Sequence, residues 1–125
     1  MISNIYEAAG GEETFTLLVH RFYAGVAEDP VLRPLYPEED LANAEERLRL
    51  FLIQSWGGPA TYSDLRGHPR LRMRHAPFAI GLREREAWLA RMTAAVGSLD
   101  IPGGVRDAFL EYFEGASLAM VNRPG

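Results

Sequence analysis

The stretch His68-Pro69-Arg70-Leu71-Arg72-Met73-Arg74-His75-Ala76-Pro77-Phe78 decides how the chain is read, because it sets His75 between two prolines and among three arginines. Pro69 lacks an N–H and has its φ preset, which suits the first turn of a helix. Pro77 disfavours helical geometry at Ala76. About two turns fit between them, with His75 near the C-terminal end. There one ring N–H can donate to a carbonyl of the preceding turn, which leaves the other nitrogen's lone pair for a metal such as iron. Arg70, Arg72 and Arg74 alternate around it, and guanidinium groups pair well with carboxylates. The competing reading of the same residues is a solvated basic surface, since a histidine among arginines is commonly an ordinary polar residue.

The chain has 125 residues, 47% of them hydrophobic and 24% charged, which predicts one globular domain over 1–125 with a proper core. Its longest apolar runs are only a few residues, and its start carries no basic n-region or apolar h-region, so a cytoplasmic protein without a transmembrane segment is expected. The net charge of −4 argues against general nucleic-acid affinity. With no cysteine, disulfides, thiolate catalysis, iron–sulfur clusters and covalent C-x-x-C-H attachment are excluded. All 13 basic residues are arginine, so Schiff-base chemistry, a pyridoxal cofactor and a Walker A loop are excluded as well. The conventional soft ligands are His20, His68, His75 and four methionines.

Working outward, the periodicity predicts an all-α chain. A short helix over 3–9, with Ser3 as a candidate cap, stops at Gly10-Gly11. Phe15, Leu18, Val19, Phe22 and Val26 share one face of a helix over 12–26, with Tyr23 at its edge. One tight turn follows around Arg33-Pro34, closed by Tyr36-Pro37. A helix over 40–55, capped by Asp40, presents Leu41, Ala44, Leu48, Phe51, Leu52 and Ser55, and Gly57-Gly58-Pro59 ends it. A loop of about ten residues carries Tyr62 and Arg66. Trp88, Leu89, Met92, Ala95, Val96 and Leu99 form the face of a helix over 83–99, with Arg83, Glu84, Arg85 and Glu86 on its solvated side. The last helix, over 104–121, turns Val105, Phe109, Phe113, Ala116 and Met120 inward, and the chain from Asn122 is expected to fray.

Arg21-Phe22-Tyr23, Tyr36-Pro37, Glu45-Glu46-Arg47-Leu48-Arg49, Trp56-Gly57-Gly58-Pro59, Trp88 and the His75 stretch together resemble the group II truncated haemoglobins, most closely the actinobacterial members. The resemblance covers essentially the whole chain. It implies a truncated globin fold, a two-over-two helical sandwich in which the pair 12–26 and 40–55 crosses the pair 83–99 and 104–121 around a haem. It implies haem b, iron protoporphyrin IX, with His75 as the proximal iron ligand. Tyr23, Tyr36 and Trp88 match the positions whose polar tips face bound ligand. Ala44 matches the place of the distal histidine in other globins, so no imidazole stands there. Phe22, Leu48 and Phe51 are expected to line the apolar remainder, with Phe78 beside the cofactor and Arg47, Tyr62 and Arg74 as propionate partners.

Hydrogen-bond donors aimed at a ligand that carries partial negative charge stabilise its bound state. The indole N–H can only donate, whereas a phenol also accepts, so Trp88 is the less ambiguous donor. The resemblance thus implies reversible binding of oxygen and other small diatomic ligands, with peroxidase-like or nitric-oxide-detoxifying chemistry as an extension. A reductase is the expected partner, and a homodimer is compatible with the chain. Two other readings fit the residues without a haem. One is a cofactor-free helical interaction module with an arginine-rich anion-binding patch. The other is a non-haem metal site on His68 and His75, against which stands the lack of any carboxylate between them. His20 is expected to be solvated.

Overall fold

Apolar residues three and four positions apart build the long helices, and a computed structural model describing residues 4–37, 40–68, 70, 75 and 78–123 shows where each begins and ends. Helix α1 spans Ile5–Ala9 and is capped by Asn4, whose side chain accepts the Glu7 N–H at 2.9 Å. Ser3, the expected cap, lies outside the described residues. Gly10 and Gly11 turn the chain with φ of +112° and +73°, the region open to glycine. Helix α2 (Glu12–Glu28) follows at once, then a 3-10 turn over Arg33–Leu35, α3 (Ala42–Ser55), α4 (Thr61–Arg66), α5 (Leu82–Gly97) and α6 (Gly103–Ala119). The described residues contain no strand.

The four principal helices fall within two residues of the spans expected from periodicity. Asp40, expected as the cap of α3, stands one residue before the cap position Leu41, and its carboxylate accepts the Ala42 N–H at 2.9 Å. Two expectations need correction. The stretch read as a plain loop forms α4, because Gln54 holds it from both sides: the Ser63 N–H donates to Gln54 Oε1 at 2.8 Å and Gln54 Nε2 donates to Ser63 Oγ at 2.7 Å. So short a helix has little stability of its own and depends on such contacts. The tail does not fray at Asn122, whose main-chain N–H donates to the Ile80 carbonyl at 2.8 Å.

Helix α2 packs against both α3 and α5, and α5 packs against α6. Phe15, Leu18, Val19, Phe22 and Val26 of α2 meet Met92 and Val96 of α5 and Phe109 and Phe113 of α6 in one core. Edge-on rings lock the layers, with centroids 5.6 Å apart for Phe15 and Phe109 and 5.3 Å for Phe22 and Trp88. Such pairs contribute about 0.5–1.5 kcal/mol beyond burial.

One ion pair ties α2 to α5. Arg91 Nε donates to Asp29 Oδ2 at 2.9 Å, while Asp29 Oδ1 accepts the N–H groups of Val31 and Leu32. The Arg91 hydrogen bond, helped by the two backbone N–H groups, holds the Asp29 carboxyl below its ordinary 3.8. At the end of α3, Gly57 has φ +102°, and Gly58 is pressed against Ile53 and Tyr6.

Gly58→Ala should destabilise the protein by about 1–3 kcal/mol in urea unfolding, since overpacking in tight surroundings costs that much. Its methyl would sit 2.6 Å from Ile53 Cγ2 and 2.9 Å from the Ile53 carbonyl oxygen. Gly115→Ala, where nothing lies within 4 Å, is the control and should gain about 0.5–1 kcal/mol. Because Asp29 is depressed in the folded state, its stabilisation is fully present well above pH 3.8 and is lost as pH falls through its folded value. The Tm gap between the native protein and Asp29→Asn should therefore stay constant from pH 7 to about 5 and close in stronger acid. A gap that widens on acidification would contradict the ion pair.

Candidate functional site

A cavity of about 540 Å³ draws its walls from α2, α3, α4, α5, α6, the 3-10 turn and the segment around His75. Its size suits a bound cofactor. Tyr23, Tyr36, Ala44, Arg47, Leu48, Phe51, Tyr62, His75, Phe78 and Trp88, all singled out from the sequence, line it together. Phe22 does not: it is fully buried behind the wall, with its ring edge-on to Tyr23 at 4.9 Å and to Trp88 at 5.3 Å. Arg74 lies outside the described residues, as do Pro69, Leu71, Arg72, Met73, Ala76 and Pro77, so the two-turn helix expected there is not described.

Each polar group is placed by a local cause. Tyr23, buried on α2 next to Phe22, meets Tyr36 edge-on at 5.6 Å. Tyr36 follows the 3-10 turn, and Arg33 Nη1 donates to its carbonyl at 2.8 Å. The Trp88 ring is gripped by Phe22 on one flank and Phe113 at 5.8 Å on another. Among the described residues no acceptor takes its indole N–H. Ala44 is 3% exposed on α3, with Leu48 and Phe51 one and two turns further along.

His75 is half-buried, and its carbonyl accepts the Phe78 N–H at 3.0 Å and Asn122 Nδ2 at 3.3 Å. The same Asn122 side chain donates to the Phe78 carbonyl at 2.9 Å and accepts the Ile80 N–H at 2.9 Å. His68 is exposed, does not line the cavity, and accepts the Arg70 N–H at 3.1 Å. His20 is exposed and lies 3.1 Å from Glu45. The described residues hold no group of three His, Cys, Asp or Glu side chains able to cage a bare ion.

Several lining residues were not singled out from the sequence. Glu84 and Arg85, read as solvated, are half-buried: Glu84 accepts the Gly81 N–H at 2.8 Å, and Arg85 Nε donates to Ser117 Oγ at 3.2 Å. They precede Trp88 by four and three residues, on its own face of α5, so the signal was spacing overridden by charge. Tyr112 stands three residues after Phe109 and also lines the cavity. Burial pushes its phenol above 10.0 against a weaker opposing hydrogen bond with Ser55, which keeps it neutral. Arg66, noted as a loop residue and as the start of the arginine-rich stretch 66–74, joins Arg47 in the lining.

A helical sandwich folded round an apolar cleft, with one imidazole and several aromatic donors in its wall, defines a protein of the globin class. The comparisons then narrow it. The bacterial-like globin family model matches residues 4–122. The chain is 39% identical over 118 residues to a group 2 truncated haemoglobin of Bacillus subtilis, covering 94% of this chain and 88% of that protein. The crystal structure of a thermostable haemoglobin from Thermobifida fusca superposes with a TM-score of 0.95 at 63% identity, covering 98% of this chain and 99% of that one. That of a truncated, oxygen-avid haemoglobin from Bacillus subtilis gives 0.90 at 38% identity, covering 96% and 100%. The chain belongs to the bacterial-like globin family, as a group II truncated haemoglobin with the two-over-two fold.

Membership of the family implies a haem cofactor. The donor set fits one: a macrocycle brings its own four nitrogens and needs from the protein a single axial imidazole, apolar walls and cations for its carboxylates. His75, the cleft formed by Leu48, Phe51 and Phe113, and Arg47 with Arg66 meet those needs.

Proposed function

We propose that the cleft holds haem b (iron protoporphyrin IX) with His75 as its axial ligand, and that the protein reversibly binds oxygen and other small diatomic molecules. The observation carrying this reading is that His75 shares one apolar cleft with the Trp88 indole, whose N–H has no acceptor among the described residues. When bound, haem supplies an iron with one coordination position open to a diatomic ligand. Everything else falls to side chains. Trp88, Tyr23 and Tyr36 present donors to the ligand, and Ala44 leaves room where a larger side chain would crowd it. Arg47, Tyr62 and Arg74 pair with the propionates, with Arg66 alongside.

Several donors around one ligand slow its release. Slow release favours scavenging, sensing or redox chemistry over bulk transport, in keeping with the oxygen-avid Bacillus subtilis relative. Peroxide-dependent oxidation and nitric oxide detoxification are the redox activities we propose, with a reductase as partner and the cytoplasm as location. No helix among the described residues is long and apolar enough to cross a membrane.

The purified protein, loaded with haemin, reduced with dithionite and exposed to carbon monoxide, should show a Soret band that shifts on binding, and His75→Gly should disturb it. Trp88→Phe should speed oxygen release on the order of ten- to a hundredfold in stopped-flow, the loss of one donor to a partly charged ligand. A wild-type protein that stays colourless after haemin is added would overturn the reading in favour of a cofactor-free helical module. An unchanged release rate in Trp88→Phe would remove the indole from the ligand.

A further inference from the structure

Asn122 lies 47 residues from His75 in sequence, just beyond the end of α6, yet its side chain reaches the carbonyl of His75 itself. The segment that follows His75 has no regular structure over 78–81, so its backbone groups need partners from elsewhere. Asn122 supplies them on both edges. Its main-chain N–H and the Arg123 N–H donate to the Ile80 carbonyl at 2.8 and 3.1 Å, contacts that any non-proline residue could make. Its side chain adds what only a carboxamide offers: Oδ1 takes the Ile80 N–H, while Nδ2 gives its two hydrogens to the carbonyls of Phe78 and His75.

From this geometry we infer that Asn122 is a positioning residue for His75, fixing the height and tilt of the imidazole in the cleft; the inference rests on the proposed haem ligation. Helix α6 ends three residues before Asn122 and supplies Phe113 and Ala116 to the cavity wall, with Met120 just past its end. Phe109 and Phe113 bury that helix in the core. The wall and the peptide carrying the ligand are thereby registered to the same rigid element. A mere tether of the chain terminus would need only the contacts to Ile80. Of the two Nδ2 bonds, the one to the His75 carbonyl makes the direct link to His75, and the one to the Phe78 carbonyl holds the residue whose N–H the His75 carbonyl accepts.

Two substitutions separate these roles. Asn122→Asp keeps the main-chain bonds and the acceptor for Ile80 but turns an oxygen toward the His75 and Phe78 carbonyls, whereas Asn122→Ala removes all side-chain bonds. In the reduced, ligand-free, haem-loaded protein, resonance Raman should show the iron–histidine stretching band shifted by several wavenumbers and broadened in both, at least as strongly in Asp. Transfer of haemin to excess apomyoglobin should quicken on the order of tenfold, as loss of one or two hydrogen bonds implies. A band unmoved in both variants, or moved in Ala and not in Asp, would reduce Asn122 to a tether and overturn the inference. Where the Ala variant does not fold, the Asp variant decides alone. A wild type with no Soret band would sink the haem reading and this inference together; a normal Soret band with an unmoved stretching band would sink this inference alone.

Discussion

The site depends on the ring of Phe22. It is fully buried and edge-on to both Tyr23 and Trp88, and Tyr23 in turn meets Tyr36 edge-on. Aromatic rings prefer that geometry because the positive edge of one meets the negative face of another. Three side chains with polar tips are therefore held by apolar contacts between their bodies. A cleft of this size needs such a frame, because its lining lacks packing partners on one side and would otherwise collapse inward. Phe22 stays out of the cleft and acts through the two rings it fixes.

Arginine gives the frame its polar fastenings. Lysine is absent from the chain, and the arginines do work suited to a planar fork of five N–H donors. Arg33 reaches the Tyr36 carbonyl, Arg85 reaches Ser117 and the Glu114 carbonyl, and Arg21 reaches both the carbonyl and the hydroxyl of Ser98 beyond the C-terminal end of α5. Arg33 and Arg21 fasten an irregular segment and a helix end, where carbonyls lack helical partners, and Arg85 fastens α5 to α6. Arg85 reaches its two acceptors through two nitrogens, Nε and Nη2, a spread that a single ammonium nitrogen lacks.

The long helices were legible because α2, α3, α5 and α6 bury one face each, and burial writes a period of 3.6 into the sequence. The cleft was legible for the same reason: Tyr23, Ala44, Leu48, Phe51 and Trp88 lie on or beside those faces. What escaped was held by contacts between distant residues. Helix α4 rests on the bonds between Gln54 and Ser63, nine residues apart, and the Asn122 clamp spans 42 to 47 residues. Neither leaves a periodic trace. Glu84 and Arg85 were misread because a charged side chain predicts solvent unless a partner is known, and Arg85 finds its partners on α6.

The two halves of the site are anchored by different means. Tyr23 and Trp88 are set by ring packing through Phe22 between α2 and α5, where the core is closely filled and small displacements cost contacts on every side. The irregular segment after His75 is held by hydrogen bonds from Asn122 beyond the end of α6, and such a bond can lengthen without disturbing the core. A perturbation at the C-terminal end of α6 should thus reach the imidazole before it reaches Trp88. The fold couples Tyr23 and Trp88 more tightly to its stability than the segment after His75, so that segment can be retuned at lower cost to the folded state.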